Sequence, residues 1–91
     1  MKNLIDLKGK VTLITGASRG IGKATALLLA QAGSGLVINY FRNRKEAEKV
    51  ASIAKTRDVQ TEIFKADISS KSQCEKMVDF TLKKFGKIDI L

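Results

Sequence analysis

The spacing of apolar residues changes repeatedly along this 91-residue chain, and each change marks an element. Val11-Thr12-Leu13-Ile14 is a short β-branched run that ends at Gly16, the pattern of a buried strand. Gly20 to Ala32 is rich in Ala and Leu and is followed by Gly33, which predicts a helix and its stop. Leu36-Val37-Ile38 predicts a second buried strand. Asn43, with Glu46 three residues later, has the spacing of a capping box. The helix it would open carries Ala47, Val50, Ala51 and Ala54 on one face. Val59 to Ala66 predicts a third strand, with Val59, Thr61, Ile63 and Lys65 alternating against Gln60, Glu62, Phe64 and Ala66.

The clearest helical period comes last. Cys74, Met77, Val78, Thr81, Leu82 and Phe85 recur at i, i+3, i+4, i+7, i+8 and i+11, and Gly86 follows as a stop. This seam assigns Cys74 to core packing. Lys83, Lys84 and Lys87 sit near the C-terminal end, where the helix dipole favours cations. Ile88-Asp89-Ile90-Leu91 then begins a fourth apolar run. Strand and helix alternate throughout, so the expected fold class is α/β. It is a doubly wound parallel sheet of Rossmann type, in its N-terminal β-α-β-α-β-α-β portion.

Composition narrows the function classes. The formal charge is +8, from 17 Lys and Arg against nine Asp and Glu, which favours an anionic partner. The densest basic run, Arg42, Arg44 and Lys45, is short. Aromatic residues make up only 5% and no basic stripe or recognition motif is visible, so nucleic acid is not the expected partner. A single cysteine rules out an internal disulfide, and the lack of histidine rules out a His-containing metal site. The longest apolar stretch, Ala26 to Ala30, is far short of a membrane span. Met1 to Lys10 has no apolar run of the signal-peptide kind, so the expected location is the cytoplasm.

The chemistry is concentrated in the turn after the first strand, Thr15-Gly16-Ala17-Ser18-Arg19-Gly20-Ile21-Gly22. Gly16 lets the chain leave the strand in a conformation that a side chain obstructs. Gly20 removes a Cβ where a ligand phosphate would approach, and Gly22 allows the helix to pack close to the strand. The free N–H groups of the helix that follows then face an anion. A P-loop is excluded because position 17 is Ala and Lys23 is followed by Ala24. The G-x-G-x-x-G fingerprint needs Gly at position 18, which is Ser.

The spacing T-G-x-x-x-G-x-G, directly after a strand and opening a helix, resembles the cofactor loop of the short-chain dehydrogenase/reductase family. Two later segments agree. Lys65-Ala66-Asp67-Ile68-Ser69 is similar to the family's Asp-containing adenine contact, and Phe85 to Leu91 resembles the lead into its fourth strand. The resemblance covers essentially the whole chain, and the nearest look is that of 3-oxoacyl-carrier-protein reductases. It implies cofactor-binding roles for Gly16, Ser18, Arg19, Gly20, Ile21, Gly22, Tyr40, Arg42, Asp67 and Ile68. Asp67 has an alternative as the cap of a helix starting near Ser70.

An NAD site wants a carboxylate at the end of the second strand, yet Leu36 to Arg44 contains no acid. Tyr40 aligns with the missing acid. Arg42 is placed to pair with a 2′-phosphate, so the expected cofactor is NADP(H). Arg44 reads as a solvated charge at a helix start.

The resemblance implies hydride transfer between a nicotinamide and a carbonyl or alcohol, on a small-molecule or acyl-carrier-linked substrate, in a homo-oligomer. The family's Tyr, Lys and Ser lie beyond the fourth strand, so no catalytic residue is expected within these 91. Tyr40 does not fit that role, because the residue four further on is Arg44 rather than Lys. The chain alone is therefore expected to bind cofactor weakly or not at all, and to turn nothing over. One sheet face, with only the third helix to cover it, is expected to expose a large apolar patch. The alternative reading is a non-catalytic module that binds a nucleotide or a partner.

Overall fold

The computed structural model describes residues 6–16 and 20–90. Three strands, β1 (Val11–Ile14), β2 (Gly35–Tyr40) and β3 (Thr61–Lys65), alternate with three helices, α1 (Gly20–Gln31), α2 (Arg44–Lys55) and α3 (Lys71–Phe85). The sheet is parallel, in the order β1-β2-β3. Val11 pairs with Gly35 and Leu36 with Thr61, so all three strands end on one side of the molecule.

β2 lies in the middle, and Leu36, Val37 and Ile38 have no accessible surface. A strand covered on both faces cannot alternate, which is why its sequence reads as a continuous apolar run. It extends past Ile38 because its two polar residues are satisfied there. The Asn39 amide donates to neighbouring carbonyls, and the Tyr40 hydroxyl accepts from Arg44 Nη1 at 3.0 Å.

Successive β2 side chains serve different layers. Leu36, Ile38 and Tyr40 pack with Ala26 and Ala30 of α1 and with Ala47, Val50, Ala51 and Ala54 of α2. Val37 packs with Leu13, Ala66 and Met77 on the opposite face. α1 and α2 thus cover one face of the sheet and α3 the other. Among the described residues the apolar patch expected on the α3 face does not appear, since Leu13 is 1% exposed and Val37 fully buried. Phe64, Phe80, Phe85 and Ile88 pack around that cluster, and four large side chains are enough to seal a three-stranded face.

Other expectations need correction. Asn43 is the N-cap residue of α2 but makes no side-chain cap bond, and Glu46 pairs instead with Lys49 at 3.3 Å. Asn43 has φ −100° and ψ 64°, away from the extended backbone that lets a cap side chain reach back. A side-chain cap forms on α3 instead, where Ser70 Oγ accepts from Gln73 N, three residues on. The buried seam of α3 narrows to Met77 and Thr81, leaving Leu82 43% exposed and Cys74 only partly covered.

The fourth apolar run docks as a single parallel bridge, Thr12 to Ile90, on the edge of β1 away from β2. Leu13 N donates to Ile90 O at 2.9 Å. Asp89 secures this contact, its Oδ2 accepting from Val11 N at 2.9 Å and from Lys87 Nζ at 3.1 Å. Those two donors, Lys87 first, hold the Asp89 carboxyl below its ordinary range. Leu91 lies outside the described residues.

Candidate functional site

A cleft of about 370 Å³ opens where the three strands end. Its walls are Gly16 after β1, the run Asn39 to Asn43 after β2, and Ala66, Asp67 and Ile68 after β3. The carboxyl ends of strands in an open α/β sheet are where such folds bind ligands.

On the β1 side the chain turns through Gly16, at φ 66°, and re-enters helix at Gly20, at φ 63°. An added Cβ would have no atom within 4 Å at either position. Glycine is therefore required by conformation rather than by crowding, because side chains rarely adopt this left-handed backbone. Ile21 is 87% exposed, and Gly22 lies in the first turn of α1. That turn contains no acidic residue, so the positive end of the helix dipole is uncompensated from within the helix. Ser18 and Arg19 lie outside the described residues.

On the β2 side, Tyr40 is 7% exposed, with its ring in the core and its hydroxyl bonded to Arg44. Arg44 is more than the solvated charge its position suggests. Its Nε donates to Glu48 at 2.7 Å, while its guanidinium lies 6.0 Å from the Tyr40 ring centre. Arg42 is exposed, with its guanidinium 5.6 Å from the Phe41 ring centre, and it lines the cleft.

On the β3 side, Asp67 Oδ1 accepts from Ser69 Oγ at 2.7 Å and Ser69 N at 2.9 Å, closing a side-chain turn. The helix cap is Ser70, so Asp67 is not the cap. The Ser69 hydroxyl, then its main-chain N–H, lowers the Asp67 carboxyl, and the positive charge of Arg42 adds to this. A depressed carboxyl stabilises the fold above its ordinary pKa, and that contribution is lost as pH falls through the folded value. Asp67 is accordingly expected to titrate below a free aspartate in a ¹³C carboxyl NMR titration. Ser69→Ala should return it toward the ordinary range, and an unchanged midpoint would show that the turn does not set it.

Two residues of the site escaped pattern reading. Asn39 is 4% exposed and its Nδ2 lies 3.0 Å from Ala66 O and 3.3 Å from both Phe64 O and Tyr40 O. It clamps the end of β2 to the end of β3 beneath the cleft. Its signal was an amide directly following three apolar strand residues. Gln73 accepts from Asp67 N at 2.8 Å, and its signal was the Ser-x-x-Gln spacing from Ser70.

The family model described as short chain dehydrogenase matches residues 10–91. The chain belongs to the short-chain dehydrogenase/reductase family. Relatives of this family include a versicolorin reductase of Emericella nidulans, 40% identical over 93% of this chain and 32% of its own length. Among solved structures, a short chain dehydrogenase of Burkholderia cenocepacia in complex with NADP superposes with a TM-score of 0.88. It is 32% identical, over 91% of this chain and 34% of that one. An NAD⁺-bound xylitol dehydrogenase superposes with a TM-score of 0.86 at 36% identity, over 91% and 32%. The chain thus spans about a third of the length of the relatives it matches. Of these two structures, one holds NADP and the other NAD⁺. Among the described residues no group of three His, Cys, Asp or Glu side chains is placed to hold a metal, and no helix is long and apolar enough to cross a membrane.

Proposed function

We propose that this chain supplies the adenosine-binding half of an NADP(H) site in an oxidoreductase that acts on a carbonyl or alcohol. Arg42 carries this reading: it is an exposed cation on the cleft wall, at the end of a strand that offers no carboxylate to a ribose 2′-hydroxyl. Its planar fork suits a 2′-phosphate, with two charge-assisted hydrogen bonds.

The remaining residues fit the same group. Gly16, Gly20, Ile21 and Gly22, together with Ser18 and Arg19, would bring main-chain N–H groups and a helix N-terminus to the pyrophosphate. Tyr40 forms the floor next to Arg42. Adenine presents an N–H donor beside a ring acceptor. The Asp67 carboxylate is a matching acceptor, and the Ile68 main-chain N–H, which has no acceptor among the described residues, is a matching donor. The bound dinucleotide would give or take a hydride at its nicotinamide. The substrate class we propose is a small-molecule or acyl-carrier-linked carbonyl compound. A family relative named as a reductase supports that direction. We further propose that residues 1–91 are the N-terminal part of a single dinucleotide-binding domain, and that alone they bind nucleotide weakly.

NMR titration of the chain with adenosine 2′,5′-bisphosphate, against 5′-AMP, tests the reading. Shifts are expected at Gly16, Arg42, Asp67 and Ile68. Arg42→Ala should weaken the bisphosphate by about 10- to 100-fold, the worth of hydrogen bonds to a charged group. Binding of 5′-AMP should change by less than about twofold, since exposed charges away from a contact contribute little. Equal losses for both nucleotides would defeat the assignment of Arg42, and no shift at these residues would defeat the site.

A further inference from the structure

The wall of the cleft formed by Asp67 and Ile68 is irregular backbone, between the end of β3 and the start of α3. A loop in this position keeps its shape only if something holds its main chain. Within the loop, Ser70 N donates to Asp67 O at 3.0 Å and Ser69 N to the Asp67 carboxylate at 2.9 Å, and three further contacts hold the main chain from its flanks. Ala66 N donates to Tyr40 O at 2.9 Å, and Asn39 Nδ2 donates to Ala66 O, so the upstream end is tied to β2. Downstream, Gln73 Oε1 accepts from Asp67 N at 2.8 Å.

The last of these differs in kind. Asn39 braces regular strand ends, whereas Gln73 reaches back from the first turn of α3 to the one residue whose carboxylate faces the cleft. The next residue, Cys74, adds a weaker tie, its Sγ donating to Ile68 O at 3.4 Å. Two consecutive residues of α3 therefore hold the two consecutive residues of the nucleotide wall. The Gln73 side chain is not needed to cap its own helix, because the Ser70 cap accepts from the Gln73 main-chain N. Its amide oxygen is thus committed to the loop rather than to the helix.

We infer that Gln73 is a positioning residue for the nucleotide: it fixes the Asp67 main chain so that the carboxylate and the Ile68 N–H present together to the adenine edge. This rests on the nucleotide reading above. Without the amide oxygen, the Asp67 N–H turns to water and the wall samples several conformations. The ligand must then order it on binding, which weakens affinity without a lost ligand contact.

The test uses the chain and adenosine 2′,5′-bisphosphate as probe, in wild type, Gln73→Met and Gln73→Glu. Methionine keeps the length and removes the acceptor, whereas glutamate keeps the acceptor. Gln73→Met is expected to weaken binding about tenfold, the worth of one hydrogen bond at the upper end of the usual range. It should also move the Asp67 amide proton upfield and speed its exchange, while the thermal midpoint stays within a few degrees of wild type. Gln73→Glu should recover affinity to within about threefold, allowing for one added exposed charge. Wild-type affinity in Gln73→Met would overturn the inference while leaving the site intact. Equal losses in both variants, or a loss that tracks a fall in thermal midpoint, would also overturn it. Absence of wild-type binding would overturn the nucleotide reading and this inference with it.

Discussion

Truncating Ile38 to alanine is expected to lower the unfolding free energy by about 2–5 kcal/mol, toward the upper end of that range. Ile38 has no accessible surface and stands in the central strand. The cost of a core truncation depends on how far the surroundings collapse into the void. The buried cluster around Ile38 is rich in alanine, with Ala26, Ala30, Ala47, Ala51 and Ala54 beside Leu36, Tyr40 and Val50. The alanine methyl groups sit on two helices and have no rotamer to change. Leu13→Ala removes as many carbons from the other layer, where Met77 and the Phe64, Phe80 and Phe85 rings can shift inward. It should therefore cost less, by about 1 kcal/mol. A chain of this length has about 5–14 kcal/mol in total, so either loss is readable as a shift in urea midpoint. Leu82→Ala, at an exposed site, should stay within about 0.5 kcal/mol. Equal costs at Ile38 and Leu13 would mean that the alanine-rich layer relaxes as freely as the aromatic one.

The same two layers explain how much of the fold was legible in the chain. The alanine stripe of α2 and the Leu36-Val37-Ile38 run are periodic signals, and each marks a surface buried along its whole length. What the periodicity could not carry was the width of a seam. Leu82 keeps the helical period yet lies outside the contact, because α3 crosses a sheet only three strands wide. Cap spacing was likewise ambiguous, since Asn43 with Glu46 and Ser70 with Gln73 look alike in sequence. Only backbone geometry separates them, as Ser70 is extended and Asn43 is not.

At the cleft, the positions of Gly16 and Asp67 at the strand ends were readable because each is set by a few local residues. Asn39 and Gln73 were not, because each acts on main-chain atoms of another segment, and which carbonyl or N–H a side chain meets is decided only when the segments are assembled. Tyr40 and Arg44 show the same limit. Four residues apart, they looked like a missing acid and a free charge, but form a contact of one hydrogen bond and a ring face.

Asn39→Asp, which alters almost no volume, is expected to cost about 3–5 kcal/mol at neutral pH, comparable to stranding a buried charge. The Asn39 amide nitrogen faces the carbonyl oxygens of Tyr40, Phe64 and Ala66. A carboxylate there would set an acceptor against three acceptors, with 4% exposure to relieve it. Asn39→Ala, which leaves the carbonyls unpaired but adds no charge, should cost about 1–3 kcal/mol. Protonation changes the balance, since a neutral carboxyl can donate one bond to the nearest carbonyl, Ala66 O. Burial and the three oxygens therefore raise the pKa of the introduced acid in the folded state above its unfolded value, near 3.9. A raised folded pKa gives stability that is complete below the unfolded pKa and lost as pH rises through the folded one. The deficit of Asn39→Asp relative to wild type should thus be smallest below about pH 4 and widen toward neutrality, while that of Asn39→Ala stays level. Urea unfolding of the three proteins across this range measures both curves. A deficit in Asn39→Asp that does not change with pH would mean that the side chain turns out of the β2–β3 junction, and that the cleft floor is held by the strand ladder alone.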